Sequence, residues 1–211
     1  MNKRDGAVDE LLRAVAGGPP RADARRNVER LVLAARAAVA EVGVEVTAHE
    51  IARRAGVGIG TFYRRVSSRE ALLEAVLGEV LGEAAELGGR ALADPDPWRG
   101  LETFAAGYVR IRAESCGIRD AIGGACGPGL DRILGELREL TRRLVERAQE
   151  AGVVRSDVAW QDVPFLLAAV ATGERTMGLR AGAEQWERNL RIVLDGLRAA
   201  GAASLPGEPP A

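Results

Sequence analysis

Residues 47–69 read TAHEIARRAGVGIGTFYRRVSSR, and the fold of the whole chain is decided there. Thr47 stands three residues before Glu50, so its hydroxyl can accept the Glu50 backbone N–H while the carboxylate reaches back, the pattern of a capping box. Ile51, Ala52 and Ala55 give the helix that follows an apolar side. Gly56 ends it, since glycine enters the left-handed region without a Cβ penalty. Val57 plugs the turn, and Gly58 is the N-cap of a second short helix, Ile59 to Arg65. Two short helices about a glycine-containing turn make a helix-turn-helix, whose second helix fits the major groove of DNA.

Working upstream, Val28, Leu31, Val32, Ala35, Val39 and Val42 recur at three- and four-residue steps, predicting one helix over residues 25–42 that closes the core behind the turn. Downstream, Ser67 or Ser68 caps a long helix carried by Leu72, Leu73, Val76, Leu77, Val80, Leu81 and Ala84. A helix of about twenty residues spans about 30 Å, enough to leave the head and enter a second domain.

The stretch IARRAGVGIGTFYRRVSSREALLEAVL, residues 51–77, resembles the DNA-binding segment of TetR-family transcriptional regulators. The likeness rests on Thr47, on Ala55-Gly56-Val57 at the turn, on Gly60-Thr61-Phe62-Tyr63, and on Ser68 to Leu72 opening the long helix. Gly58 stands where the family often has serine, and Val66 where it usually has phenylalanine. The resemblance implies phosphate contacts at Thr47, Thr61, Tyr63 and Arg69. Base-edge contacts fall to Gly58, Ile59, Gly60 and Thr61, and Arg64 reaches guanine or phosphate. The implied partners are a double-stranded DNA operator, a second copy of the chain and a small-molecule effector.

Charge divides along the chain in the same sense. The net charge is −1, yet residues 21–69 carry ten arginines against five acids, and residues 70–211 carry 16 basic against 22 acidic side chains. A basic head on an acidic body suits a protein that meets phosphate at one end.

The remaining pattern is helical throughout. Asp96 and Pro97 read as N-cap and first position of a helix, with Trp98, Leu101, Phe104, Ala105, Tyr108 and Ile111 on one side. A glycine-rich stretch, 117–129, with room for a short helix at 118–122, precedes a strong helix to about Glu150. Further helices are expected over 160–177 and 183–199, and no strand alternation appears. The expected fold is all-α: residues 1–20 a disordered extension, 21–69 a three-helix DNA-binding head, 70–200 a helical ligand-binding and dimerisation domain, and 201–211 a disordered tail. Six of the eight aromatic residues lie beyond residue 90. Trp98, Phe104, Tyr108, Cys126, Phe165 and Met177 are the candidates for lining an apolar effector pocket. The last two helices, with Ala168, Ala169, Ala171 and Gly173, suit a four-helix dimer interface.

Several chemistries are excluded or left without support. No apolar run reaches the length of a membrane span, the first residues lack a secretory core, and a cytoplasmic location is expected. One histidine, His49, and two cysteines, Cys116 and Cys126, offer no metal-ligand spacing and no disulfide framework. The glycine runs GVGIG and GGACGPG lack the strand and the terminal residues of nucleotide-binding loops. No nucleophile–base pair is evident, so neither catalysis nor a cofactor is expected. Two alternatives stay open: a cysteine-based redox sensor using Cys116 and Cys126 beside Arg112 and Arg119, and a small-molecule-binding protein with a vestigial head.

Overall fold

The computed structural model describes residues 8, 9, 11, 22–114, 128–170, 175–198 and 203–210. The chain divides into two compact units. One holds Met1–Glu83 with Glu114–Leu134, the other Ala84–Ala113 with Gly135–Ala211.

In the first unit, α1 spans Ala22–Val42 and buries Val28, Leu31, Val32, Ala35 and Val39 of the stripe expected from its spacing, together with Ala38, while Val42 at its end is exposed. Two short helices follow, α2 at Ala48–Arg54 and α3 at Ile59–Arg65, both packed against α1 and against each other. Seven residues are too few to hold a helix in water, so these two depend on Ile51, Ala52 and Phe62, which are buried under α1. The long helix α4, Arg69–Leu92, begins where the Ser68 hydroxyl accepts the Ala71 N–H at 3.1 Å. Val66, just before it, is fully buried. Arg36 on α1 pairs with Glu79 on α4. Within the stretch expected to be a disordered extension, Val8 and Leu11 are buried and Asp9 pairs with Arg25 at 3.0 Å.

Among its described residues the second unit holds the end of α4, nearly all of α5 at Pro97–Glu114, most of α6 at Asp131–Glu150, and α7 at Asp162–Val170 and α8 at Gln185–Gly196. Asp96 caps α5 as its sequence position implies, its carboxylate accepting the Trp98 and Arg99 N–H groups at 2.9 and 3.1 Å. Residues 91–100 fold back tightly. Arg147 on α6 donates to the Leu92 carbonyl at 2.9 Å and to that of Asp94, closing the α4–α5 corner. The core is built from Leu101, Phe104, Val109, Leu144, Val145, Val163, Leu167, Leu190 and Leu194. α7 packs on α8.

Two expectations are corrected here. The helix predicted over 160–177 spans only 162–170 among the described residues. Arg175–Thr176 (β1) and Leu179–Arg180 (β2) instead pair antiparallel. The two turn residues, Met177 and Gly178, both have positive φ, 49° and 77°, as a two-residue hairpin turn of the mirror-image type requires. Glycine takes that conformation freely, so Gly178 is the residue that makes the hairpin possible. The fold class is unaffected and remains all-α. The tail likewise makes defined contacts: the Leu205 N–H donates to Asp157 at 3.1 Å and the Ala203 carbonyl accepts from Arg155. The short helix expected at 118–122 lies outside the described residues.

Candidate nucleic-acid interface

The helix-turn-helix is built from local chemistry. Thr47 has extended backbone geometry and its Oγ1 accepts the Glu50 N–H at 3.2 Å, opening α2. The other half of the capping box takes a different course. The Glu50 carboxylate turns to Arg53 and Arg54, accepting from each at 2.7 Å, and Arg54 also reaches Glu41 at 2.7 Å. Charge-assisted, bidentate bonds outcompete a single bond to a backbone amide. The two guanidiniums hold the Glu50 carboxyl down from 4.5 to about 2, its side-chain bonds to Arg53 and then Arg54 being the main causes. At the turn, Gly56 has φ +65°, and its amide and that of Val57 close back on the Arg53 and Ala52 carbonyls.

The recognition helix α3 has one buried side and one open side. Phe62 is completely buried, whereas its neighbour Tyr63 is 56% exposed, with the two rings edge-on at 5.1 Å. Gly58 caps the helix without a side-chain bond. Gly58, Gly60, Tyr63 and Arg64 are exposed, and Ile59 and Thr61 are half-buried. Arg64 donates to the Thr61 hydroxyl at 3.0 Å, so the two polar groups of this face act together. Nothing among the described residues lies within 4 Å of a Cβ built on Gly58 or Gly60, leaving the first turn of α3 open to close approach.

Arg69 differs from the other seven candidates. Its guanidinium donates to the Val44 and Val46 carbonyls and to Glu70 at 3.0 Å. It ties the start of α4 to the bridge that precedes α2, and so acts first as a brace for the turn. Arg53 and Arg54 escaped the sequence reading. Their spacing of three and four residues from Glu50 is the signal that could have found them.

The candidate effector residues are dispersed. Trp98, Phe104 and Tyr108 are buried on α5. The Phe104 and Tyr108 rings lie 5.9 Å apart, and the Trp98 ring is covered by the Arg198 guanidinium at 3.8 Å. Burial pushes the Tyr108 phenol up, and the nearby Arg112 offsets part of that. Phe165, 66% exposed, lines a separate cavity of about 580 Å³ whose walls include none of Trp98, Phe104, Tyr108 or Met177. Met177 is 96% exposed at the hairpin turn, because the helix that would have carried it inward stops short. Cys126, like Cys116, lies outside the described residues. Among the described residues, no cluster of three potential metal ligands occurs and no helix is long and apolar enough to cross a membrane.

Comparison with known proteins agrees with this geometry. Residues 31–76 match the family model for bacterial regulatory proteins of the tetR family, and residues 96–199 match that for the C-terminal domain of SbtR-like transcriptional regulators. No curated protein matches significantly. The TetR transcription regulatory protein from Mycobacterium vanbaalenii is 32% identical with a TM-score of 0.54, the match covering 85% of this chain and 99% of that one. The TetR regulator SCO0520 from Streptomyces coelicolor is 28% identical, covering 82% and 99%, with a TM-score of 0.57. The regulator FadR from Bacillus subtilis, solved in complex with stearoyl-CoA, shares the fold at 15% identity and a TM-score of 0.61, covering 82% and 98%. A capped helix-turn-helix with an open recognition face, a helical C-terminal unit and a relative alike over nearly its whole length lead to one conclusion: the chain belongs to the TetR family of transcriptional regulators.

Proposed function

We propose that this regulator is a homodimeric, ligand-responsive repressor that binds a pseudo-palindromic operator and leaves it when a small apolar or amphipathic effector occupies the C-terminal unit. The observation that carries the reading is the open face of α3. Gly58, Gly60, Thr61, Tyr63 and Arg64 face outwards while Phe62 anchors the helix from behind. Thr47 and Tyr63 dock phosphates, and Ile59 and the Thr61 methyl meet thymine methyl groups. Arg64 reads guanine or phosphate, and Arg69 approaches the backbone from its bracing position.

Two heads on a two-fold axis meet successive major grooves about 34–36 Å apart. Effector release requires different affinities of the ligand for the DNA-competent and DNA-incompetent states. The stearoyl-CoA bound by the fold relative FadR supports an apolar effector. The protein acts in the cytoplasm, takes no cofactor and performs no catalysis. The family match gives no support to a cysteine-based sensor, whose residues Cys116 and Cys126 lie outside the described residues.

Selection of bound duplexes from a random pool, followed by affinity against salt concentration, tests the reading. An enriched inverted repeat with a log–log slope of about −0.9 per phosphate neutralised is the expected result. Weak, unselective binding overturns it. Effector candidates are then titrated against the operator complex, and tight ligand binding with unchanged operator affinity defeats the release mechanism.

A further inference from the structure

We infer that the C-terminal segment 203–209 is a clasp that completes the self-association face of the second unit, an inference that rests on the dimeric reading above. The outward side of α7 is apolar where water would favour polarity, with Phe165 66% exposed and Leu166 and Ala169 beside it, and Ile192 stands 72% exposed among charged residues on α8. Contiguous apolar surface of this kind marks an association site. The tail runs beside it and is held there by a latch. The Asp157 carboxylate, itself gripped by Arg155 at 2.6 Å, accepts the Leu205 N–H at 3.1 Å, and Arg155 also donates to the Ala203 carbonyl. The latch makes Leu205 and Pro206 one wall of the 580 Å³ cavity, with Phe165, Ile192 and Val193 among the others.

Protein interiors are close-packed, so an apolar space of this size between a tethered tail and two helices is unfinished packing. The occupant is a second copy of this chain. The apolar side chains point out of the unit, an exposure that a ligand held under the tail would not relieve. The polar border of α8 carries both signs, Glu187 and Asp195 beside Arg188 and Arg191, the last pairing within the chain with Glu102 at 2.9 Å and Asp195 at 3.4 Å on the surface. Two copies of α8 running antiparallel about a two-fold near Val193 let each exposed Arg191 exchange the Asp195 of its own helix for that of its partner, in both directions as an isologous contact requires. Each tail then closes over the seam, adding Leu205 and Pro206 to the contact.

Sedimentation of the full chain, of a variant ending at Ala202, and of Asp157→Ala over a range of concentrations tests the clasp. The full chain is expected to be dimeric. Removal of the tail is expected to weaken the dimer about tenfold or more, and loss of the latch to weaken it in the same direction, with helical content unchanged in both. An unchanged dimer constant on truncation overturns the clasp and leaves the dimer reading intact. A tighter dimer also overturns it, since the tail would then compete for the face. A full chain that stays monomeric overturns the dimer reading itself.

Discussion

The adjacent residues Phe62 and Tyr63 separate the folding role of the recognition helix from its binding role. Phe62 is fully buried beneath α1 and Tyr63 is 56% exposed. Truncating a buried phenylalanine to alanine costs about 3–5 kcal/mol through lost transfer energy and the cavity left behind. A head of about fifty residues holds roughly 3–7 kcal/mol in all at the usual stability per residue. Phe62→Ala therefore removes half or more of what keeps α3 in place. Tyr63→Phe keeps the ring and its edge contact with Phe62 and removes one hydroxyl from a solvated face, so stability should change by less than about 0.5 kcal/mol. If that hydroxyl meets a phosphate, binding weakens by about 1.5 kcal/mol per head, about tenfold for each head and about a hundredfold for a dimer on its operator. Hydrogen exchange read by mass spectrometry over residues 47–65, with operator titration of the same samples, gives both quantities. Phe62→Ala should lose protection in α2 and α3, and Tyr63→Phe should lose affinity alone. Retained protection and operator affinity in Phe62→Ala would refute the packing argument. A loss of protection in Tyr63→Phe would refute the division of roles.

Other consequences follow from single positions. Gly58 has φ −70° and open space around its Cβ position, so Gly58→Ser should add a capping bond and a few tenths of a kcal/mol, raising the thermal midpoint slightly. A side chain at Gly100 would run into the Ala91 carbonyl oxygen, a backbone atom that cannot step aside. Gly100→Ala should destabilise by about 1–3 kcal/mol in denaturant unfolding. The Glu50 carboxyl is depressed from 4.5 to about 2 by Arg53 and Arg54. A depressed folded-state value means that its contribution is fully present above the ordinary value of 4.5 and is lost as pH falls toward 2. Midpoints of the wild type should drop across that window more than those of Glu50→Gln. Equal slopes would show that the network does not stabilise α2.

Much of the head was legible because its determinants are local. A threonine three residues before a glutamate, a glycine at a left-handed turn and apolar residues at helical spacing act through neighbours a few positions away. Thr47, Gly56, Ser68 and Asp96 accordingly perform the roles their positions imply. The helical character of the second unit was legible for the same reason, from the stripes of α5 and α6 and the proline at the start of α5. The sequence by itself thus determined the class of fold and the place of the helix-turn-helix.

Only the tertiary structure decided where long-range partners fall. The Arg69 guanidinium is spent on carbonyls 23 and 25 residues earlier, a choice that no local pattern announces. The Glu50 carboxylate had two ways to be satisfied, and the nearness of Arg53, Arg54 and Glu41 settled which one won. The aromatic residues of the second unit look alike in composition. Packing buries Phe104 and Tyr108, leaves Phe165 on an open cavity, and puts Met177 in solvent at the tip of a hairpin. The physical reason is the same in each case. Caps and periodicities are satisfied within a turn or two of chain, whereas a long cation or an apolar ring takes its place from whatever surface the rest of the fold brings near it.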